Sequence, residues 1–192
     1  MRKLIETKTQ RLQLRQWRTD DRDPFAAMSS DPEVMAFFPS TLNRSASDAL
    51  VDRCQSLITE RGWGVWAVEH LATQEFMGMV GLHKPAFKLS VSPCIEILWR
   101  FARPYWGHGY ATEAANAVLQ VGFEHLGLSE IVAFTVVNNF RSRAVMERLN
   151  MSHSGETFLH PELPGNSPLK ERCLYRISQD TWRQASTLTT KL

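Results

Sequence analysis

The stretch that decides the fold is a loop that runs into a helix, and it reads Pro104-Tyr105-Trp106-Gly107-His108-Gly109-Tyr110-Ala111. Its two glycines permit dihedral angles that turn successive backbone N–H groups inward, and they leave room for a phosphate to approach. The helix that follows, predicted to begin near Thr112, adds unpaired N–H groups and the positive end of its dipole. The stretch therefore predicts an anion site, with an ordinary strand-to-helix turn as the alternative.

The segments on either side of this loop alternate between strand and helix patterns. Before it, a strand over 95–101 is predicted to carry Ile95, Ile97, Trp99 and Phe101 on one face and Glu96, Leu98 and Arg100 on the other. After it come an amphipathic helix over about 112–126, an apolar strand over 131–137 and a shorter helix over 141–149. These segments predict one parallel strand-helix-strand crossover.

The remaining segments complete an α+β pattern in a single domain over 1–192. A strand is predicted at 11–15, helices over 20–30 and 31–38, and a third helix that is capped by Ser45 or Ser47 and ends at Arg61. A hairpin of 65–69 with 76–82 and two last strands, 153–158 and 172–177, precede a C-terminal helix or tail. Phe37 and Phe38 are predicted core residues, with the lining of a substrate groove as the alternative.

Composition excludes several classes of function. The net charge of +2 is scattered, which disfavours nucleic acid as a partner. No uncharged apolar run is long enough to span a membrane, and no secretory leader is visible, so a cytoplasmic protein is expected. The three cysteines form no CxxC pair and are expected to be reduced. No histidine or carboxylate spacing indicates a metal site, so none is predicted.

Two runs of sequence resemble the GNAT superfamily of acyl-CoA N-acyltransferases, in particular its RimJ/RimL-like branch of ribosomal-protein N-terminal acetyltransferases and their relatives. Tyr105 to Ala114 matches the branch pattern YWGxGYATEA, with Trp106 where the wider family's Q/R-x-x-G-x-G/A motif has Gln or Arg. Asn138 to Met151 is similar to the family pattern ENxxSxxVxEKxGF. The resemblance covers nearly the whole chain in the right order.

The resemblance implies a fold and a cosubstrate. The fold would be a GNAT-like mixed, mostly antiparallel central sheet flanked by helices, with a splay between its fourth and fifth strands, here 95–101 and 131–137. The cosubstrate would be acetyl-CoA, whose pantetheine arm would lie in that splay. The residues implied in binding it are Trp99, Arg100 and Phe101 through their backbone, Trp106, Gly107, His108, Gly109, Tyr110, Ala111 and Thr112 around the diphosphate, and Asn139 and Ser142 along the arm.

An amine that attacks a thioester needs a base, a donor for the developing oxyanion and a proton for the departing thiolate. Glu96 is the candidate base, because burial would raise its pKa; an ordinary ion pair, such as one with Arg100, is the alternative. A backbone N–H of Leu98 or Trp99 is the expected oxyanion donor. Many GNAT enzymes protonate the thiolate with a Tyr, but Met146 stands at that position here. Ser142 is the predicted substitute, with helix capping as its alternative.

The sequence therefore predicts an N-acetyltransferase that acts on a primary amine, either a small molecule or a protein N-terminus. A catalytically silent acyl-CoA-binding sensor or scaffold is the alternative, because the Tyr is missing. The fold class does not choose among peptide termini, polyamines, amino acids and antibiotics as acceptors. A homodimer is expected by analogy alone.

Overall fold

The structure is a computed structural model that describes residues 3–189. Within them it has eight strands and five α-helices, of which the first strand was not predicted. They are β1 (Thr7–Lys8), β2 (Leu12–Arg15), α1 (Arg22–Ser30), α2 (Arg44–Arg61), β3 (Val65–His70), β4 (Phe76–His83), β5 (Glu96–Phe101), α3 (Tyr110–Gln120), β6 (Glu130–Val136), α4 (Phe140–Arg148), β7 (Ser152–Leu159), β8 (Glu171–Ser178) and α5 (Gln179–Thr189).

The contacts between Cα atoms divide the chain into two compact units. The first unit comprises Met1–His83 and Leu98–Val118. In it β1, β2, β3 and β4 pair in sequence order, each antiparallel to the next, with Leu14 opposite Val68 and Trp66 opposite Val80. Helices α1 and α2 contact each other, α1 contacts β4 and α2 contacts β3. The side chains buried in this unit include Leu12, Leu14, Phe25, Ile58, Trp66, Met77 and Leu82.

The second unit comprises Lys84–Ile97 and Leu119–Leu192. Its strands β6 and β7 both pair antiparallel with β8, and the first residues of β5 join β6 in parallel. That parallel pairing sets Glu96 opposite Val132, whose N–H donates to the Ile95 carbonyl at 2.9 Å. The buried side chains of the unit include Phe123, Ile131, Val136, Leu174, Tyr175 and Ile177. The predicted class, a mixed and mostly antiparallel sheet with flanking helices, is confirmed.

Two predictions about the early helices are wrong. Residues 31–38 form turns and not a helix: the N–H of Met35 donates to the Asp31 carbonyl four residues back, but the N–H of Phe38 donates to the Met35 carbonyl three residues back, so helical pairing does not continue. Helix α2 is capped by neither Ser45 nor Ser47. Its cap is Asn43, whose side chain accepts from the N–H of Ala46 at 2.9 Å, so the helix begins before the predicted position.

The helix predicted over 112–126 begins earlier, at Tyr110, and its last turn is wider than an α-helical turn. Residues Val121–His125 are π-helical, and the N–H of Leu126 donates to the Val121 carbonyl at 3.0 Å. The Phe123 carbonyl accepts from the side chain of Gln179 at 2.8 Å. A partner this far along the chain has no local signature in the sequence, which is why the pattern of apolar residues missed the change of helix type.

Candidate active site

The turn between β5 and α3 has the backbone conformation that its glycines predicted. Gly107 and Gly109 have φ values of +80° and +81°, in the region where any side chain is strained. Among the described residues, no atom lies within 4 Å of a Cβ placed on Gly107, and a Cβ on Gly109 meets Nη2 of Arg11 at 3.6 Å. The space beside both glycines is therefore open.

The backbone amides of this turn are available to a ligand. Within residues 3–189, no acceptor takes a hydrogen bond from the N–H groups of residues 107–112, which include the first turn of α3. The N–H of Trp106, just before them, donates to the Arg103 carbonyl at 3.1 Å. Unpaired amides at the N-terminus of a helix attract anions. The turn thus offers an anion several donors, as the sequence predicted.

Arg11, which the sequence did not single out, holds this turn in place. Its Nε donates to Glu113 on α3 at 2.6 Å and its Nη1 donates to the His108 carbonyl at 3.1 Å. Its guanidinium lies 4.3 Å above the centre of the Tyr110 ring. Burial would raise the pKa of Glu113, but hydrogen bonds from Thr9 and Arg11 outweigh burial and hold that pKa below its ordinary value. The ion pair therefore persists at neutral pH and leaves a cation beside the open turn.

Replacing Arg11 with Ala should weaken coenzyme A binding about two- to fivefold, the range of a partly exposed charge contact. The loss should shrink as salt concentration rises, because salt screens such a charge. Titration calorimetry with coenzyme A at low and high salt measures both effects. Arg22→Ala is the matched control, since Arg22 is likewise half-buried and ion-paired, but on α1. Equal losses in both variants would contradict the role given to Arg11.

The indole of Trp106 anchors the start of the turn to the end of β5. Its Nε1 donates to the Phe101 carbonyl at 2.7 Å. The Arg100 carbonyl faces β4, where a Cβ on Gly78 would approach it to 2.2 Å, and the N–H of Ala102 donates to the Met77 carbonyl. Because successive residues of a strand direct their backbone groups to opposite edges, Trp99 directs its own away from β4. Binding of a pantetheine arm by Trp99, Arg100 and Phe101 stays a prediction, and Trp99 has the freer backbone.

Glu96, the predicted base, lies at the start of β5 and is 6% exposed. Burial lowers the pKa of the Arg172 guanidinium on β8, and the carboxylate of Glu96 offsets part of that effect. The structure thus places a cation within electrostatic range of Glu96 in the second unit. Its part as a catalytic base stays a prediction.

Asn139 and Ser142 lie at the N-terminus of α4. The alternative predicted for Ser142 was to cap this helix. The helix is capped by Asn139, whose Oδ1 accepts from the N–H of Ser142 at 3.2 Å and whose Nδ2 donates to Thr135 at 2.9 Å. One N–H and one lone pair of the Asn139 amide remain for a ligand. Within the described chain, the hydroxyl of Ser142 has no hydrogen-bond partner. Capping by Ser142 is therefore excluded, and its hydroxyl is free to act elsewhere.

A tyrosine on β8, Tyr175, contacts α4 through its hydroxyl group. Met146 is buried, as is Tyr175, whose hydroxyl accepts from Arg143 Nε at 3.1 Å and donates to Glu147 at 3.2 Å. The phenolic proton is committed to a carboxylate of α4. Tyr175 therefore does not replace the tyrosine that Met146 displaces, and Ser142 stays the predicted proton donor.

Metal ligands and membrane-spanning helices would each indicate further functions. In the part of the chain that the structure describes, no three His, Cys, Asp or Glu side chains come close enough together to hold a metal ion. Among residues 3–189, no helix combines the length and the apolar character needed to cross a membrane.

Comparisons with known proteins identify the family. Residues 11–152 match the acetyltransferase (GNAT) domain. The chain is 32% identical over 140 residues to the uncharacterized protein YkkB of Bacillus subtilis, covering 70% of this chain and 79% of that one. It is 26% identical over 186 residues to an FsC-acetyl coenzyme A-N(2)-transacetylase of Aspergillus fumigatus, covering 91% and 76% of the two chains.

A solved structure has the same fold. The crystal structure of a GNAT-family acetyltransferase from Bacillus anthracis superposes with a TM-score of 0.77 at 25% identity, covering 92% of this chain and 99% of that one. The chain therefore belongs to the GNAT family of acetyltransferases and is an acyltransferase enzyme.

Proposed function

We propose that this enzyme transfers an acetyl group from acetyl-CoA to a primary amine, which attacks the thioester directly. The observation that carries the proposal is the open turn before α3, where two glycines with positive φ precede a row of unpaired amides beside Arg11. This arrangement suits a diphosphate, because it supplies N–H donors, a helix dipole and a cation together. The name of the Aspergillus fumigatus relative supports acetyl coenzyme A as the donor.

The predicted binding residues at the turn and along the arm have proposed parts. The N–H groups of residues 107–112 bind the diphosphate, and the exposed position of His108 lets it approach. The backbone groups of Trp99 that point away from β4 bind amides of the pantetheine arm, as an added strand would. The remaining N–H of Asn139 is a second donor for that arm. Trp106 contributes indirectly, since its indole fixes the turn to the Phe101 carbonyl.

The chain's own residues then supply the proton transfers. When bound, acetyl-CoA supplies a thioester whose carbon–sulfur bond breaks as the carbon–nitrogen bond forms. Glu96 accepts, directly or through a water molecule, the proton that the amine loses. The N–H of Trp99 donates to the oxygen on which negative charge develops, because the alternation of β5 turns Leu98 toward β4. Ser142 gives its proton to the departing sulfur and regains one from solvent.

We also place the enzyme in the RimJ/RimL-like branch, as a cytoplasmic protein. The run from Tyr105 to Ala114 supports this placement. The acceptor class proposed with it is an amine at a peptide N-terminus or on a small molecule.

A thiol-release assay with acetyl-CoA and a broad panel of amines tests the proposed function, together with calorimetric titration of coenzyme A. We expect coenzyme A to bind and at least one class of amine to release free thiol. If coenzyme A binds tightly while every amine fails, the chain is a sensor or scaffold. Failure of coenzyme A to bind would overturn both readings.

Replacing Ser142 with Ala should lower kcat roughly a hundredfold, the low end of general acid catalysis, and leave coenzyme A affinity nearly unchanged. Thermal stability should barely move, because Asn139 supplies the cap of α4. Asn139→Ala is the comparison: it should cost about 1 kcal/mol of folding free energy as a lost N-cap. Steady-state kinetics and thermal unfolding separate these outcomes. A kcat for Ser142→Ala equal to that of the unaltered enzyme would remove Ser142 from the mechanism.

A further inference from the structure

Arg100 is a buried cation without a protein counter-ion. Its side chain extends from β5, and the residue is 8% exposed. Among the described residues, neither Nε nor Nη1 has a hydrogen-bond acceptor, although both atoms are buried. Buried guanidinium groups normally have acceptors, because an unpaired charge inside a protein is costly.

A second buried arginine in the same unit shows how this fold satisfies such a group. Arg15 is 3% exposed, and it donates to both oxygens of Asp21, at 2.7 and 2.9 Å, and to Glu69 at 2.7 Å. Two carboxylates thus neutralise Arg15. Among the described residues of this unit, no carboxylate pairs with Arg100. The two arginines are similarly buried, and they differ in whether a carboxylate neutralises their charge.

The groups that do surround Arg100 are apolar or weakly polar. Its guanidinium stacks on the ring of Phe38, 4.2 Å from the centroid, and the thiol of Cys54 on α2 lies within electrostatic range. Burial lowers the pKa of Arg100 to about 10, and Cys54 offsets part of that effect. Arg100 therefore keeps its charge at neutral pH. Stacking on one ring engages only the face of a guanidinium and leaves the hydrogen-bonding capacity of its N–H edges unused.

Phe38 is suited to admit that acceptor. It lies between α1 and α2 and is 38% exposed. Rotation of this one side chain would expose the face of the guanidinium that its ring covers. Arg100 also follows directly on Trp99, whose N–H is the proposed donor to the oxyanion, so Arg100 lies one residue along the chain from a proposed reaction group.

We propose that Arg100 binds a carboxylate of the acceptor, so that the preferred substrates are amines that also carry a carboxylate. The inference rests on the proposed acetyl transfer and narrows its acceptor class. A planar guanidinium binds a carboxylate through two parallel hydrogen bonds, and it does so most strongly where water is excluded. A free amine without an anionic group would leave Arg100 unpaired in the complex.

The test compares matched acceptors on the unaltered enzyme, on Arg100→Met and on Arg100→Lys. The probes are ω-amino acids of increasing chain length and the same compounds with a carboxamide in place of the carboxylate. Thiol release gives kcat/KM for each pair, and calorimetry without coenzyme gives the affinity of each probe. Arg103→Met is the control, because Arg103 is a half-exposed arginine paired with Glu33.

We expect the unaltered enzyme to prefer the carboxylate of the best pair by on the order of 10²-fold, the usual loss when a buried charge pair is broken. Arg100→Met should erase that preference by lowering kcat/KM for each carboxylate to about the level of its carboxamide. The same variant should unfold at a higher temperature, because it removes an unpaired buried charge. A merely structural arginine would lower the unfolding temperature instead. Arg100→Lys should keep the charge and only part of the preference.

Failure of this inference is distinguishable from failure of the proposed function. Amines that are acetylated without regard to a carboxylate, or a preference for the carboxylate that persists in Arg100→Met, would overturn the carboxylate site and leave the transferase standing. Suppose that the carboxylate probes bind in calorimetry and bind more weakly to Arg100→Met, but no amine is acetylated. That result would uphold the carboxylate site and overturn the proposed acetyl transfer. If Arg100→Met does not fold, the inference is wrong, because removing an unpaired charge should not unfold the chain.

Discussion

Gly109→Trp should abolish measurable coenzyme A binding while the protein still folds. Its φ of +81° is strained for any side chain, and the indole would occupy the space between Arg11 and the amides of residues 107–112. Hydrogen bonds to a charged acceptor contribute about 1.5–3 kcal/mol each. Loss of two of them corresponds to on the order of 10²- to 10⁴-fold weaker binding. Calorimetric titration with coenzyme A measures the change.

The control for backbone strain is Gly155→Trp, on β7. Gly155 has a φ of +83°, and among the described residues no atom lies within 4 Å of a Cβ placed there. Both variants should lose about 1–3 kcal/mol of stability from the strained dihedral. Only Gly109→Trp should lose coenzyme A. Unchanged affinity in that variant would show that the diphosphate does not bind at this turn, and the proposed function would lose its main support.

The turn could be read from the sequence because its chemistry is local. A glycine's dihedral freedom and the orphan amides of a first helical turn depend on neighbours within a few residues. The same is true of the α4 region, where Asn150 was expected to take a positive φ and has 59°. Predictions of this kind were confirmed at the glycines and at the helix ends that Gly62 and Asn150 mark.

What the sequence could not show depends on pairs far apart in the chain. The contact of Arg11 with His108 and Glu113 joins the bend before β2 to the turn and first residues of α3, and no spacing rule connects them. For Arg100 the sequence predicts a backbone role in binding the pantetheine arm, with an ion pair to Glu96 as the alternative for its side chain. Whether a carboxylate would neutralise it depends on which side chains α1 and α2 bring near it. Asn139 and Ser142 are three residues apart, and both residue types cap helices well. The sequence pattern therefore did not decide which of them caps α4.

Glu96→Gln should lower kcat by about 10²- to 10⁴-fold, the usual contribution of a general base, with coenzyme A affinity little changed. A carboxylate base works only when deprotonated, so the rate of the unaltered enzyme should fall as pH drops through the pKa of that base. Glutamine does not titrate. In the variant that acid limb should vanish, and the remaining pH dependence should reflect deprotonation of the amine alone.

Two measurements separate a base from a structural ion pair at this position. Glu130→Gln is the matched control, because Glu130 is an exposed carboxylate on the neighbouring strand β6 of the same unit, and it should leave the profile intact. Loss of the Glu96 charge also removes a group that supports the charge of buried Arg172, so some thermal stability should be lost as well. A purely structural Glu96 would show that stability loss with the acid limb of kcat retained. Retention of the limb would therefore exclude Glu96 as the base and leave a water chain to carry the amine's proton.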